Sequence, residues 1–505
     1  MCEFIQSVMS DAAFSNKRTE RTFCNIAVTK DCYYVNERGI RWFFQVFCLF
    51  IYLFLPINII LYYSVKNRKF KNIILLITSL CFYAWGEPVW IVLLLISSWV
   101  DYCHGLYIER FHGTKWAKYG VVSSIILNLS LLIAFKYSAF IYENVNLIFS
   151  TSFQVPDVTL PIGISFYTFQ TISYTVDVYR GKVQAQRKFS TFLLYVSLFP
   201  QLVAGPIVRY ADIAKQIEHR TTNISQISDG VNRFIIGLGK KVLLANTAGS
   251  YATMFMGRSS ESLTITEAWF GIVMFTLQIY FDFSGYSDMA IGLGKILGFE
   301  YKENFNYPYI SRSATEFWRR WHISLGSFFR DYVYIPLGGN RKNEFLNLMI
   351  VWFLTGIWHG ASWNFVVWGL YFGILIYVEK KMLGRVLEKL PRIVSHCYLL
   401  VVVIIGWTFF YFTEMNEAFS YIKVLFGFAN QSFASTELTI IITNNIFWIV
   451  IAILLCTPLI KVMGEKVCKG AVHKSCLIIG NVMILILCTA VLVNESYNPF
   501  LYFRF

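Results

Sequence analysis

Apolar runs of roughly 15 to 22 residues return again and again from residue 42 onward, and no proline-, glycine- or serine-rich linker separates them. A chain patterned this way cannot hide its hydrophobic surface from water. Only 15% of its 505 residues are charged and 56% are hydrophobic, whereas soluble domains carry about 25% charged residues. The expectation is an all-α, multi-pass membrane protein in one continuous bundle over residues 42–505, seated in the inner or plasma membrane. Residues 1–41 are polar and mixed in charge, and read as a weakly ordered extension without an apolar leader. The first hydrophobic segment is therefore expected to act as its own insertion signal.

The net charge of +14 suits loops that face anionic lipid and anionic ligands. The positive residues are scattered through loops, so nucleic acid is excluded as a partner. The eleven cysteines include no C-x-x-C pair, and Cys468, His473 and Cys476 lack the spacing of a zinc site. No metal is expected. There is no G-x-S-x-G, P-loop, strand-linked G-x-G-x-x-G or H-E-x-x-H, which argues against a serine hydrolase, an ATPase or a zinc protease.

Residues 42–64 form the first span, and Lys66, Arg68, Lys69 and Lys71 behind it mark a cytoplasmic loop. Residues 73–85 and 89–100 read as two arms of about a dozen residues in a hairpin at Gly86-Glu87-Pro88, each too short to cross the hydrocarbon core. Residues 121–135 cross again, and 192–204 are another short apolar piece. An amphipathic helix at 231–244 is expected to lie along the interface. Two apolar segments carry unusual polarity. In 160–176, Ser165 and Gln170 either line a cavity or bring helices together. In 269–298, Gln278 and Asp282 share a face, and Asp282 is either held by an arginine or backbone donors or transfers protons.

The densest chemistry lies between Asn304 and Gly360. Residues 316–330 read as an aromatic interfacial helix whose Arg319, Arg320 and Arg330 could grip phosphate oxygens, lipid headgroups or neighbouring acids. Residues 346–358 give roughly 20 Å of helix. That is too short to cross, and it strands His359 at depth before 363–377 turns back. Burial favours a neutral imidazole, suited to act as a general base. His322, 37 positions earlier, falls at the loop side.

Together the motifs Phe82-Tyr83-Ala84-Trp85-Gly86-Glu87-Pro88, Pro161-Ile162-Gly163-Ile164-Ser165-Phe166-Tyr167-Thr168-Phe169-Gln170, Tyr280-Phe281-Asp282-Phe283-Ser284-Gly285-Tyr286-Ser287-Asp288-Met289-Ala290, Phe317-Trp318-Arg319-Arg320-Trp321-His322-Ile323-Ser324-Leu325, Trp358-His359-Gly360 and Asn498-Pro499-Phe500-Leu501-Tyr502-Phe503-Arg504-Phe505 resemble those of the membrane-bound O-acyltransferases. The likeness is to the bacterial branch that serves alginate O-acetylation and teichoic-acid D-alanylation. It implies a ring of about eleven tilted helices, with short re-entrant and interfacial helices, around a central funnel or tunnel. It also implies transfer of an acyl group, acetyl in the first instance, from a cytoplasmic acetyl-CoA or carrier thioester to an extracytoplasmic polysaccharide. His359 and His322 match the family's histidines. The three arginines would meet donor phosphates, while Asn304 and Trp358 would line the cavity with Ser165, Gln170, Gln278 and Asp282. No cofactor would be permanently bound, and an extracytoplasmic partner transferase would be needed. D-alanyl transfer is the alternative chemistry. A lipid or polysaccharide transporter is the alternative class, although no inverted repeat is evident.

Overall fold

The computed structural model describes residues 49–202, 205–429, 431–467 and 470–494. The N-terminal extension, the start of the first span, Cys468, the side chain of His473 and the motif at 498–505 lie outside the described residues. Helices make up all the regular structure that is described. Five of them are long and apolar enough to cross a membrane, and this is a membrane protein.

The first apolar helix, α1 (Phe50–Ser64), is followed by α2 (Arg68–Gly86), which Asn67 caps by accepting from the Lys69 amide. After the turn at Glu87 comes α3 (Ile91–Arg110). The hairpin forms at the expected place, but its arms have 19 and 20 residues, about 30 Å each, and do not stop short. Apolar content marks only part of a helix, because polar residues extend it wherever they find partners. Asp101 of α3 is fully buried and accepts from Ser124 Oγ at 2.6 Å and Asn128 Nδ2 at 2.8 Å.

Both donors belong to α4 (Lys115–Phe149), a continuous 35-residue helix where the sequence pattern marks only 121–135. A π turn at Ile133–Tyr137 lets it run on. Next, α5 (Ile164–Tyr179) is buried along nearly its whole length, and Thr171 donates to Asn128 of α4. Small and hydroxyl residues here bring helices together, one of the two roles the sequence allows. Two short helices follow, α6 (Phe189–Ser197) and α7 (Tyr210–Glu218).

Then α8 (Ile224–Gly239) runs through a π turn at Lys240–Ala245 into α9 (Asn246–Met256). This segment does not lie alone on an interface. It packs along α10 (Ile265–Ile296), which opens with a Thr264–Glu267 capping box. Glycines let the backbones meet: a Cβ on Gly230 would stand 2.7 Å from the Gly292 carbonyl, and one on Gly237 would stand 2.6 Å from that of Gly285. The same contact buries ion pairs, Lys241–Asp282 at 2.6 Å and Asp288 with both Lys240 (2.7 Å) and Arg233 (2.8 Å). The polar stripe that makes this helix look interfacial is the stripe that pairs with α10.

Two seven-residue helices, α11 (Ala314–Arg320) and α12 (Ile323–Phe329), precede the hairpin of α13 (Glu344–His359) and α14 (Trp363–Val378). Past α15 (Gly384–Lys389), α16 (Arg392–Tyr411) backs that hairpin through Trp407 and Phe410. The chain then continues through α17 (Met415–Leu425), α18 (Thr436–Leu455), α19 (Leu459–Val467) and α20 (Gly470–Asn494).

Candidate active site

Residues 316–330 are not one helix. The break falls on His322, whose backbone is left-handed (φ 44°, ψ 54°). A non-glycine residue there costs about 1–3 kcal/mol and persists only where its surroundings fix it. Asn304 supplies the fixing. Its carbonyl accepts from the Ile323 amide at 3.0 Å. Its Oδ1 accepts from the Ser324 amide (3.1 Å) and Ser324 Oγ (2.8 Å), and lies 3.1 Å from His322 Nδ1. Its Nδ2 donates to Ser287 Oγ of α10 at 3.1 Å. An amide oxygen only accepts, so the neutral imidazole presents Nδ1–H to Asn304 and carries its basic lone pair on Nε2.

The break also moves His322. The sequence places it at the loop side; the structure turns it inward, 2% exposed, against Phe283 (ring centroids 4.6 Å apart) and Trp358 (5.9 Å). A helix continuing through this position would have carried the ring elsewhere.

His359 is the last residue of α13, 16 residues and ~24 Å from its start. The chain leaves the helix at Gly360 in extended backbone, where any side chain would overlap the Phe365 ring of α14. The imidazole is 6% exposed, walled by Trp358 (4.9 Å), Trp368 (4.9 Å) and Phe410 (5.2 Å). Trp358 therefore touches both histidines, which stand 37 positions apart in the chain.

A helix that ends inside a protein leaves its last carbonyls without partners. Here the π turn of α4 supplies them. Tyr137 donates to the Ile357 carbonyl (2.8 Å), and Lys136 Nζ to those of Trp358 (2.7 Å) and His359 (3.3 Å). The lysine charge also complements the negative end of the helix dipole. Sequence reading passed over both residues. The available signal was a lysine just past a long apolar run, where a cation needs a reason to be.

Of the residues the sequence singles out, Asn304, His322, Trp358 and His359 come together. On α5, Phe166 and Phe169 reach Trp358 at 5.6 and 5.7 Å, while Ser165 and Gln170 are buried beside them. Gln278 and Asp282 occupy the α10 face that meets α8 and α9, against Gly249 and Lys241. The partner of Asp282 is a lysine, where an arginine or backbone donors were anticipated. The α10 face toward the histidines carries Phe283 and Ser287 instead. The arginines do not converge: Arg320 pairs with Glu316 (3.0 Å), Arg330 with Asp331 (2.7 Å), and Arg319 is exposed. Among the described residues, no group of three or more histidines, cysteines or acids is placed to hold a metal.

A buried imidazole pair walled by aromatic rings, one ring with a fixed tautomer, can move a proton to or from a bound hydroxyl or thiol. Comparison with known proteins gives the family. The sequence model of the membrane-bound O-acyltransferase family matches residues 136–456. A probable alginate O-acetylase of Azotobacter vinelandii is 36% identical over 90% of this chain and 99% of its own length. A peptidoglycan O-acetyltransferase of Helicobacter pylori is 34% identical over 75% of this chain and 79% of its own. A teichoic acid D-alanyltransferase of Bacillus subtilis is 28% identical over 43% of this chain and 58% of its own.

Proposed function

Because the chain belongs to the membrane-bound O-acyltransferase family and is an O-acyltransferase, we propose that His359 and His322 form the centre at which it transfers an acetyl group. The donor is a cytoplasmic thioester, acetyl-CoA or an acylated carrier. The destination is an extracytoplasmic polysaccharide, reached through a partner transferase on the outer face. The protein is multi-pass in the inner or plasma membrane, its helices ringed about a funnel that meets the histidines.

One observation carries this reading: two imidazoles from distant segments are buried against one tryptophan, at the end of a helix that stops inside the protein. His359 takes the proton of the accepting hydroxyl as its oxygen attacks the thioester carbonyl. The carbon–oxygen bond forms, the carbon–sulfur bond breaks, and the departing thiolate recovers the proton from the imidazolium. His322, oriented by Asn304, assists through Nε2. Aromatic walls exclude water, which would otherwise hydrolyse the thioester.

Acetyl is favoured over D-alanyl because the O-acetylating relatives match at higher identity and over more of the chain. The test uses inside-out membrane vesicles given either labelled acetyl-CoA or a labelled D-alanyl carrier thioester. Base-labile label from acetyl-CoA, lost in His359→Ala, is the expected result. Label from the D-alanyl donor alone would transfer the reading to that chemistry. Wild-type turnover that survives His359→Ala would remove the histidine from it.

A further inference from the structure

Four cations gather where α12 leads into the loop before α13, around Asp331 and Tyr332. Arg209 Nη1 lies 2.8 Å from Asp331 Oδ2, and Arg330 Nε lies 2.7 Å from Oδ1 of the same carboxylate. Arg180 donates to the Asp331 backbone carbonyl at 3.1 Å. The guanidinium carbons of Arg180 and Arg209 stand 5.2 and 5.1 Å from the centre of the Tyr332 ring. The Tyr332 hydroxyl donates to Asp177 at 2.7 Å, and Lys182 approaches Asp177 at 3.7 Å.

Among the described residues, the ion pairs of Arg180, Lys182, Arg209 and Arg330 thus involve only two carboxylates, Asp177 and Asp331. Arg209 and Arg330 share one of them, and Arg180 donates to a backbone carbonyl. Nη2 of Arg209 is buried and has no hydrogen-bond partner among the described residues. Guanidinium groups brought this close repel one another, and an anion that takes two forks at once relieves that repulsion.

The cluster connects to the histidines. Tyr332 touches Phe328 (4.8 Å), Phe328 stacks on Phe169 (4.3 Å), Phe169 stacks on Trp358 (5.7 Å), and Trp358 touches both imidazoles. An unbroken aromatic line therefore runs from this positive cluster to the buried pair.

We propose that Arg180 and Arg209, with Arg330, bind the phosphate of the thioester donor, and that its pantetheine arm follows the aromatic line to His359. This rests on the acyl-transfer reading above and adds the donor's anchoring group, the phosphate common to CoA and a carrier-borne pantetheine arm. Arg319 and Arg320 lie on α11 and are not part of the anchor.

The test compares acetyl-CoA with acetyl-pantetheine, which has the same thioester but no phosphate. In the wild type, acetyl-CoA has the lower KM. In Arg180→Gln and Arg209→Gln that advantage shrinks by about tenfold each, the worth of one charge-assisted hydrogen bond. Arg180→Gln is the safer variant, since Arg180 is exposed and loses one bond to a carbonyl. A KM ratio unchanged in that variant, or both KM values rising together, would overturn the proposal. If the wild type turns over neither donor, acyl transfer itself has failed. Calorimetric titration with 4′-phosphopantetheine then decides the anchor separately: about tenfold weaker binding to Arg180→Gln supports it, and equal binding removes it. Replacing acetyl-CoA by an acetylated carrier protein shows which source of the phosphate is used, through the lower KM.

Discussion

Helix α10 has two buried polar neighbourhoods on opposite faces, and they differ in kind. Toward α8 and α9, Asp282 and Asp288 meet Lys241, Lys240 and Arg233 in close ion pairs. Toward α11–α14, Ser287 and Phe283 meet Asn304 and His322, in a pocket of neutral amide, hydroxyl, imidazole and aromatic groups. Burial alone does not separate the two. Charge matching does, since a carboxylate locked to an ammonium at 2.6 Å holds helices together and has little freedom to exchange protons. A neutral imidazole whose other nitrogen is fixed by an amide keeps its proton chemistry available.

Substitutions can break or sharpen this contrast. The largest effect belongs to His359→Ala, which should cut acetyl transfer by about 10²–10⁴-fold, the usual worth of a general base. Its melting temperature in detergent should stay close to wild type; unfolding instead would make the histidine a packing residue. On the other face, Lys241→Met leaves Asp282 buried without its ammonium and should cost ~3–5 kcal/mol of stability. Turnover per folded molecule should change little, and Lys241→Met with Asp282→Leu should restore most of the stability. A specific loss of turnover without loss of stability would show that the ion pair belongs to the chemistry.

Asn304→Ala removes the acceptor that sets the His322 tautomer. Turnover should fall by about tenfold, near one hydrogen bond's worth, with a smaller effect on the KM for donor. The smallest effect is expected at Lys136. Lys136→Met leaves the Trp358 and His359 carbonyls without their cation and should lower turnover by about fivefold, which Lys136→Arg should partly recover. Equal activity in both variants would leave the helix end indifferent to that charge.

How much of this was legible in the sequence depended on the kind of interaction. Apolar periodicity gave the all-helical membrane class, the turn at Gly86-Glu87-Pro88 and the helix that stops at His359, because each is written in local composition. Helix lengths were misjudged wherever polar residues found partners across the bundle, as Asp101 does with Ser124 and Asn128. The 231–244 stripe looked interfacial because nothing local announces that Asp282 and Asp288 lie opposite it. The break at His322 was hidden for the same reason: a left-handed residue between two helix-forming stretches is held by Asn304, eighteen positions earlier. Lys136 was passed over, although a cation within a helix of this length is itself a signal.

The most direct test of the central claim is single-turnover acetyl transfer by His322→Ala, His359→Ala and the double variant, with folding checked for each. If the two imidazoles serve one reaction around Trp358, the double variant loses no more than the worse single variant. Losses that multiply would mean that the histidines act independently, contradicting the paired site.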